Sequence, residues 1–189
     1  TGLINWSPAG GDGAVFAGRL SPEKGASEAI DIAHAAGVRI DLYGDSYDAE
    51  YARERIDPRR AEPGVGFHPA VPRPSLWEAM ARAAVVLFPA RWEEPFGMVA
   101  AEAQACGTPV VAFNRGALDE VIANELTGFL VAPDDIDAAA DAVRRSTGLS
   151  RSECRAHAER DLDLERSLDA HEQLYRRAVG AGAGAAAHG

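Results

Sequence analysis

The stretch Glu94-Pro-Phe-Gly-Met-Val-Ala-Ala-Glu102-Ala-Gln-Ala-Cys-Gly-Thr-Pro-Val-Val-Ala112 decides how this chain folds. It reads as a loop through Phe-Gly, a helix of small residues starting near Phe96, a Gly-x-Pro corner, and an apolar strand over 109–113. A loop, a helix and a buried strand in that order form one step of a parallel α/β sheet.

The same alternation runs outward in both directions. Short apolar runs at 14–18, 39–43, 65–67, 85–88 and 128–131 predict five more strands. Between and after them the pattern predicts helices over 25–36, 48–56, 76–83, 118–123, 134–145, 152–160 and 164–179. Ser75 is the expected N-cap of the fourth-strand helix, with Glu78 as its capping-box partner, and Asp134 the expected cap of the helix over 134–145. No hairpin signal interrupts the series. The expected fold is therefore Rossmann-like, a three-layer α/β/α sandwich with a parallel sheet of about six strands. Residues 1–13, rich in Gly and polar residues, read as a linker or domain entrance. Residues 14–179 form one domain, and the Gly/Ala-rich 180–189 read as a flexible tail.

Composition narrows the function. The chain has 189 residues, 47% of them hydrophobic and 25% charged, which suits one globular domain with a proper core. Its formal net charge of -10 argues against a nucleic-acid surface, which needs a basic footprint. No apolar run is long enough to span a bilayer, and no basic segment followed by an apolar core marks a signal peptide. Cys106 and Cys154 have no partners at metal-ligand spacing, so a zinc site is not expected. A reducing, cytoplasmic setting is the default.

In parallel sheets ligands bind beyond the carboxyl ends of the strands, where 18–19, 44–45, 89–94 and 114–116 fall. Glu94 and Glu102 lie eight positions apart, about 12 Å along a helix. Between them the amides of Gly97, Met98 and Val99 are expected as first-turn donors, which favour phosphates. A diphosphate there would place one polar substituent near each acid. Gly97 would admit the ligand to close range. Taken alone, two such acids are better read as exposed helix-start residues that complement the dipole; the Pro-Phe-Gly between them and the Ala-Cys-Gly-Thr-Pro-Val-Val behind turn the reading to a site. Strand 14–18 ends at Gly18 and is followed by Arg19 and Lys24, two cations in a Pro-containing turn that suit phosphate oxygens. The Gly116 amides are expected to add to this anion site. Gly44-Asp45 and Gly66-Phe67-His68 could flank a base. His68 is equally readable as a loop histidine, Trp92 as a packing residue or an acceptor contact, and Glu120 as structural.

Four motifs occur in a recognisable order. They are Gly18-Arg-Leu…Lys24-Gly25, Glu94-Pro-Phe-Gly…Glu102-Ala103, Gly107-Thr-Pro-Val-Val-Ala112 and Thr127-Gly-Phe-Leu-Val131. Over residues 15–131 this series resembles the C-terminal donor domain of retaining glycosyltransferases of the two-Rossmann GT-B type, family 4. The resemblance implies that Arg19 and Lys24 hold the diphosphate of a nucleotide-sugar donor. It implies that Glu94 contacts the sugar beside Gly18, Phe96, Gly97, Met98 and Val99, and that Glu102 binds the ribose. It implies transfer of a hexose-type sugar with retention, without metal or cofactor. Arg115-Gly116 stands where the family often has two glycines, and Asp119 where it usually has Pro.

The resemblance also implies a second, N-terminal Rossmann domain that supplies the acceptor site, whether for a sugar, a lipid or a small molecule. Any membrane association would come mostly from that part. The chain begins almost at the donor domain, so the expectation is an excised domain that binds donor weakly and turns nothing over alone. Two rival readings keep the fold: a nucleotide-sugar 2-epimerase, and a non-catalytic nucleotide-binding module. A dinucleotide dehydrogenase is disfavoured, because no Gly-x-Gly-x-x-Gly follows the first strand.

Overall fold

The computed structural model describes residues 2, 4–163, 168 and 172–177. Its six strands are β1 (Ala14–Ala17), β2 (Ile40–Tyr43), β3 (Val65–His68), β4 (Val85–Phe88), β5 (Val110–Phe113) and β6 (Gly128–Val131). They form one sheet in the order β3-β2-β1-β4-β5-β6, and all five pairings are parallel. The fold expected from the sequence is the fold observed.

The central strands are apolar throughout because both their faces are covered. Along β1, Ala14 and Phe16 enter one core layer while Val15 and Ala17 enter the other, following the two-residue period of a strand. The first layer packs under α1 (Ala26–Ala36) and α6 (Ile136–Ser146), with Ile30, Ile32, Ala139 and Val143 facing the sheet. The second packs under α3 (Arg73–Arg82), α4 (Met98–Ala105) and α5 (Leu118–Val121), through Met80, Ala100, Ala103 and Leu118. Strand β2 sits farther out and alternates, with Ile40 and Leu42 buried and Asp41 and Tyr43 half-buried.

Several boundaries depart from the sequence-based expectation. Helix α3 begins at Arg73 behind Pro72, with Pro74 in its first turn, so Ser75 is an exposed helical residue and no capping box forms. Proline suits the first turn, where its missing N–H has no partner to lose. Asp135, not Asp134, caps α6 by accepting from the Ala138 amide at 2.9 Å. Asp134 takes the left-handed conformation just before it, φ 64°. Helix α4 starts at Met98 rather than Phe96, because Gly97 has φ 92° and cannot belong to a right-handed turn. The helix expected over 48–56 is one turn, α2 (Ala49–Tyr51), capped by Asp48. It passes into a wide turn over Ala52–Ile56 and a tight one over Asp57–Ala61, where Pro58 interrupts the hydrogen-bond ladder. Of the helix expected over 164–179, residues 168 and 172–177 are helical; the rest, and the tail over 180–189, lie outside the described residues.

Helix α7 (Arg151–Asp161) closes the second layer and ties down the leading segment. Arg151 donates to the carbonyls of Ser7, Ala81 and Ala83 and to Thr108 Oγ1, all within 2.9 Å. Arg155 donates to the carbonyls of Ile4 and Ala105. These guanidiniums satisfy backbone acceptors at the amino ends of β4 and β5, which the helices leave unpaired. Among the described residues no helix is long and apolar enough to cross a membrane, and no cluster of three His, Cys, Asp or Glu is placed to hold a metal ion.

Cys106 and Cys154 are buried free thiols, pushed up to about 12 first by burial, with the Glu102 carboxylate adding to the effect at Cys106. At pH 8 only about one such thiol in ten thousand is ionised, and the thiolate is the nucleophile. Iodoacetamide at pH 8 should therefore leave both cysteines unmodified in the folded chain and label both rapidly in denaturant, as read by mass spectrometry.

Candidate functional site

The strand order reverses between β1 and β4, so their carboxyl ends open a crevice at a topological switch point. Two loops are held together across it. After β1, Ser21 O accepts from the amides of Lys24 and Gly25, closing a tight turn over Pro22–Lys24. Gly25 has φ 73°, and a Cβ there would lie 1.9 Å from the Pro89 carbonyl oxygen at the end of β4. Only glycine lets these backbones meet. The Arg91 amide then donates to the Glu23 carbonyl at 2.9 Å, locking the second loop to the first.

This docking carries Lys24 to Glu94. The ammonium lies 2.8 Å from Glu94 Oε2 and 4.4 Å from the centre of the Trp92 ring. Trp92 Nε1 donates to the same oxygen at 2.8 Å. Glu94 is buried, 8% exposed, and its carboxylate would be costly there without these two donors. Removing one partner from a pair this deep costs on the order of 3 kcal/mol.

The Glu94 backbone is positioned from the β5 side. Its carbonyl accepts from the Ala117 amide at 2.8 Å, and Glu93 Oε2 accepts from the Gly116 amide at 2.7 Å. The Gly116 amide thus serves this loop and does not join an anion site as expected. A Cβ at Gly116, φ 61°, would come within 2.2 Å of the Glu94 carbonyl oxygen. Gly97 also has a structural reason different from the expected one, since a Cβ there would press on Leu118 Cδ2 at 2.6 Å. Beyond Gly97, the leading amides of α4 are those of Met98, Val99 and Ala100, one position later than predicted. They have no carbonyl to reach within the helix and carry its positive dipole end.

The other predicted residues surround this centre. Glu102 lies on α4, 8% exposed, with Arg73 Nε at 3.5 Å. Phe96 and Met98 are exposed, and Val99 is half-buried. Gly18 donates its amide to the Tyr43 carbonyl at 3.0 Å. Arg19 shares the Lys24 turn but pairs with Glu23 at 3.2 Å and is well exposed, so only Lys24 of the two cations touches Glu94. Next to this turn a cavity of about 280 Å³ opens, lined by Leu20, Gly44, Asp45, Phe67, His68 and Pro69 among others. His68 is held by Asp41 Oδ1 at 2.9 Å and stacks on Tyr43 with ring centres 4.6 Å apart. A larger cavity of about 380 Å³ lies at the amino ends of the strands, around Gly11, Pro109 and Arg151, away from all these residues.

Sequence reasoning passed over Arg73 and Arg91 and left Trp92 undecided. Arg91 bridges Glu28 at 3.2 Å and Asp134 at 3.1 Å, and Arg115 joins Asp134 at 2.9 Å. This chain of charges fastens α1 and the loops after β4, β5 and β6. Its members come from four distant segments, and no local motif announces them.

The fold is that of a doubly wound α/β domain with a crevice at its switch point. Comparison with known proteins then gives the family: residues 8–158 match the glycosyl transferases group 1 family, and the chain belongs to it. A D-inositol 3-phosphate glycosyltransferase of Jonesia denitrificans is 38% identical over 136 residues, covering 66% of this chain and 32% of its own length. The one from Mycobacterium marinum is 33% identical over 178 residues, covering 87% and 38%. Among solved structures, AviGT4, a glycosyltransferase involved in avilamycin A biosynthesis, superposes with a TM-score of 0.78 at 30% identity, covering 95% of this chain and 53% of that one. Anabaena Alr3699/HepE in complex with UDP-glucose gives 0.78 at 26% identity, covering 93% and 55%. The chain thus spans about a third of the length of these curated relatives and about half of these solved ones.

The glycine at 116 offers a direct check on how the acid is held. Gly116→Ala should lower stability by about 2 kcal/mol or more in a denaturant titration, because the added carbon meets Glu94 backbone and the φ is unfavourable.

Proposed function

We propose that this chain is the donor-binding domain of a retaining glycosyltransferase of family 4, which transfers a hexose-type sugar from a nucleoside-diphosphate sugar. The observation that carries the reading is the meeting of Lys24 and Glu94 at the head of α4, across the β1/β4 switch point. A cation, a set of unpaired amides and a buried acid within one crevice suit a diphosphate joined to a polyol. The structures of Alr3699/HepE with UDP and with UDP-glucose support a nucleotide-sugar ligand for this fold.

In this reading Lys24 and the α4 amides take the diphosphate, and Arg19 swings from Glu23 to assist. An ammonium has three N–H groups, so Lys24 can keep Glu94 while donating to a phosphate oxygen. The positive groups stand where negative charge grows on the departing nucleoside diphosphate, and lower the barrier without a metal. Glu94 accepts hydrogen bonds from sugar hydroxyls, and Glu102 accepts from the ribose once Arg73 yields. The cavity beside Leu20, between Gly44-Asp45 and Phe67-His68, takes the base. The acceptor and the rest of the cleft come from a second Rossmann-like domain, which turnover requires.

A thermal-shift panel of UDP, GDP and ADP, each with a corresponding sugar nucleotide, tests this. At a hundred times Kd the correct nucleotide should raise Tm by about 5–10 °C. Lys24→Ala should abolish the rise for diphosphate and sugar nucleotide alike. Glu94→Ala should keep the diphosphate response and lose the extra response to the sugar. An unchanged response in Lys24→Ala would refute the site. With the second domain present, product analysis separates transfer from epimerisation.

A further inference from the structure

We infer that Trp92 is a positioning residue for Glu94: its indole N–H and the Lys24 ammonium together occupy Oε2, leaving Oε1 to meet the donor sugar. The inference rests on the donor-site reading and adds to it a residue and an atom-level division of labour.

The geometry behind it is specific. Trp92 stands two residues before Glu94, and its Nε1 lies 2.8 Å from Oε2, the oxygen Lys24 also takes at 2.8 Å. The ammonium lies over the face of the same indole, 4.4 Å from its centre, where the ring quadrupole attracts a cation. One side chain therefore sets both members of the ion pair, the acid through its edge and the base through its face. Among the described residues no donor takes Glu94 Oε1, and this oxygen is not among the fully buried polar atoms that lack a partner. It keeps an opening to solvent and can accept from a sugar hydroxyl.

Two donors on one oxygen do more than hold the rotamer. A carboxylate with only Lys24 as partner could pivot and chelate the ammonium with both oxygens, closing Oε1 to a ligand. The fixed indole N–H resists that pivot. The ring face also keeps Lys24 from following the carboxylate, so its remaining N–H groups stay available to a diphosphate. The two functions are separable by substitution. Trp92→Phe retains a ring face for Lys24 and removes the N–H, whereas Trp92→Leu removes both.

The chain has three tryptophans, Trp6, Trp77 and Trp92, so a ¹⁵N-labelled sample gives three indole N–H signals, and the one missing in Trp92→Phe is assigned. That signal should move when Glu94→Gln removes the charge from its acceptor. The dispersion of the same spectra shows whether each variant is folded. Calorimetry with UDP and UDP-glucose then tests the role. In Trp92→Phe, UDP-glucose should bind about tenfold more weakly, the usual effect of losing one hydrogen bond to a charged group, while UDP changes by less than about twofold. In Trp92→Leu both ligands should weaken. Equal loss of both ligands in Trp92→Phe, or no loss of either, overturns the positioning role. An indole signal indifferent to Glu94→Gln overturns it whatever the ligands do. If the unsubstituted chain binds none of UDP, GDP, ADP and their sugar nucleotides while the indole signal answers to Glu94→Gln, the donor-site reading falls and the hold of Trp92 on Glu94 stands.

Discussion

Lys24 and Glu94 are 70 positions apart, and they meet because two backbones touch at the switch point of the sheet. Gly25 lies against the Pro89 carbonyl with no room for a side chain, and the amide of Arg91 bonds to the carbonyl of Glu23. Parallel pairing of β1 with β4 sets the loops side by side, and these contacts fix their separation. From there the rest follows. Lys24 reaches the acid, the indole of Trp92 fits beneath the ammonium, and α4 points its leading amides into the same space.

The crevice is built from charges that already have partners. Lys24 is paired with Glu94, Arg19 with Glu23, Arg73 with Glu102, and Arg91 and Arg115 with Asp134. In a chain of net charge -10 this is the expected condition of a cationic pocket, because carboxylates outnumber cations. A diphosphate ligand would not meet bare cations. On the proposed reading it would compete with neighbouring carboxylates for these cations, and Glu94 and Glu102 would turn to sugar and ribose hydroxyls. The well-exposed Arg19–Glu23 pair contributes little stability and can be broken readily. The deep Lys24–Glu94 pair is more costly to break, which favours sharing over separation.

Helix α4 serves two needs at once. Ala100 and Ala103 face the sheet in the second core layer, and their small side chains let the helix lie close on β4 and β5. That closeness brings its first turn to the level of the strand ends, where a ligand would sit. The small residues that made the stretch legible as a sheet-packed helix are thus also what places the site.

Much could be read from the residues alone. The all-apolar runs of β1, β4 and β5, and the breaks at Gly and Pro between them, decided a parallel sheet, because strands covered on both faces leave no polar period to read otherwise. Glu94, Glu102, Arg19 and Lys24 were picked out by residue type at a strand end or helix start, which local pattern can show. Partners were beyond that reach. That Lys24 rests on Glu94 and Trp92, that Gly116 spends its amide on Glu93, and that Gly97 makes room for Leu118 depend on which loops the strand order makes neighbours. Local sequence sets backbone preference and burial, whereas a contact between segments 70 residues apart exists only once the sheet has chosen its order.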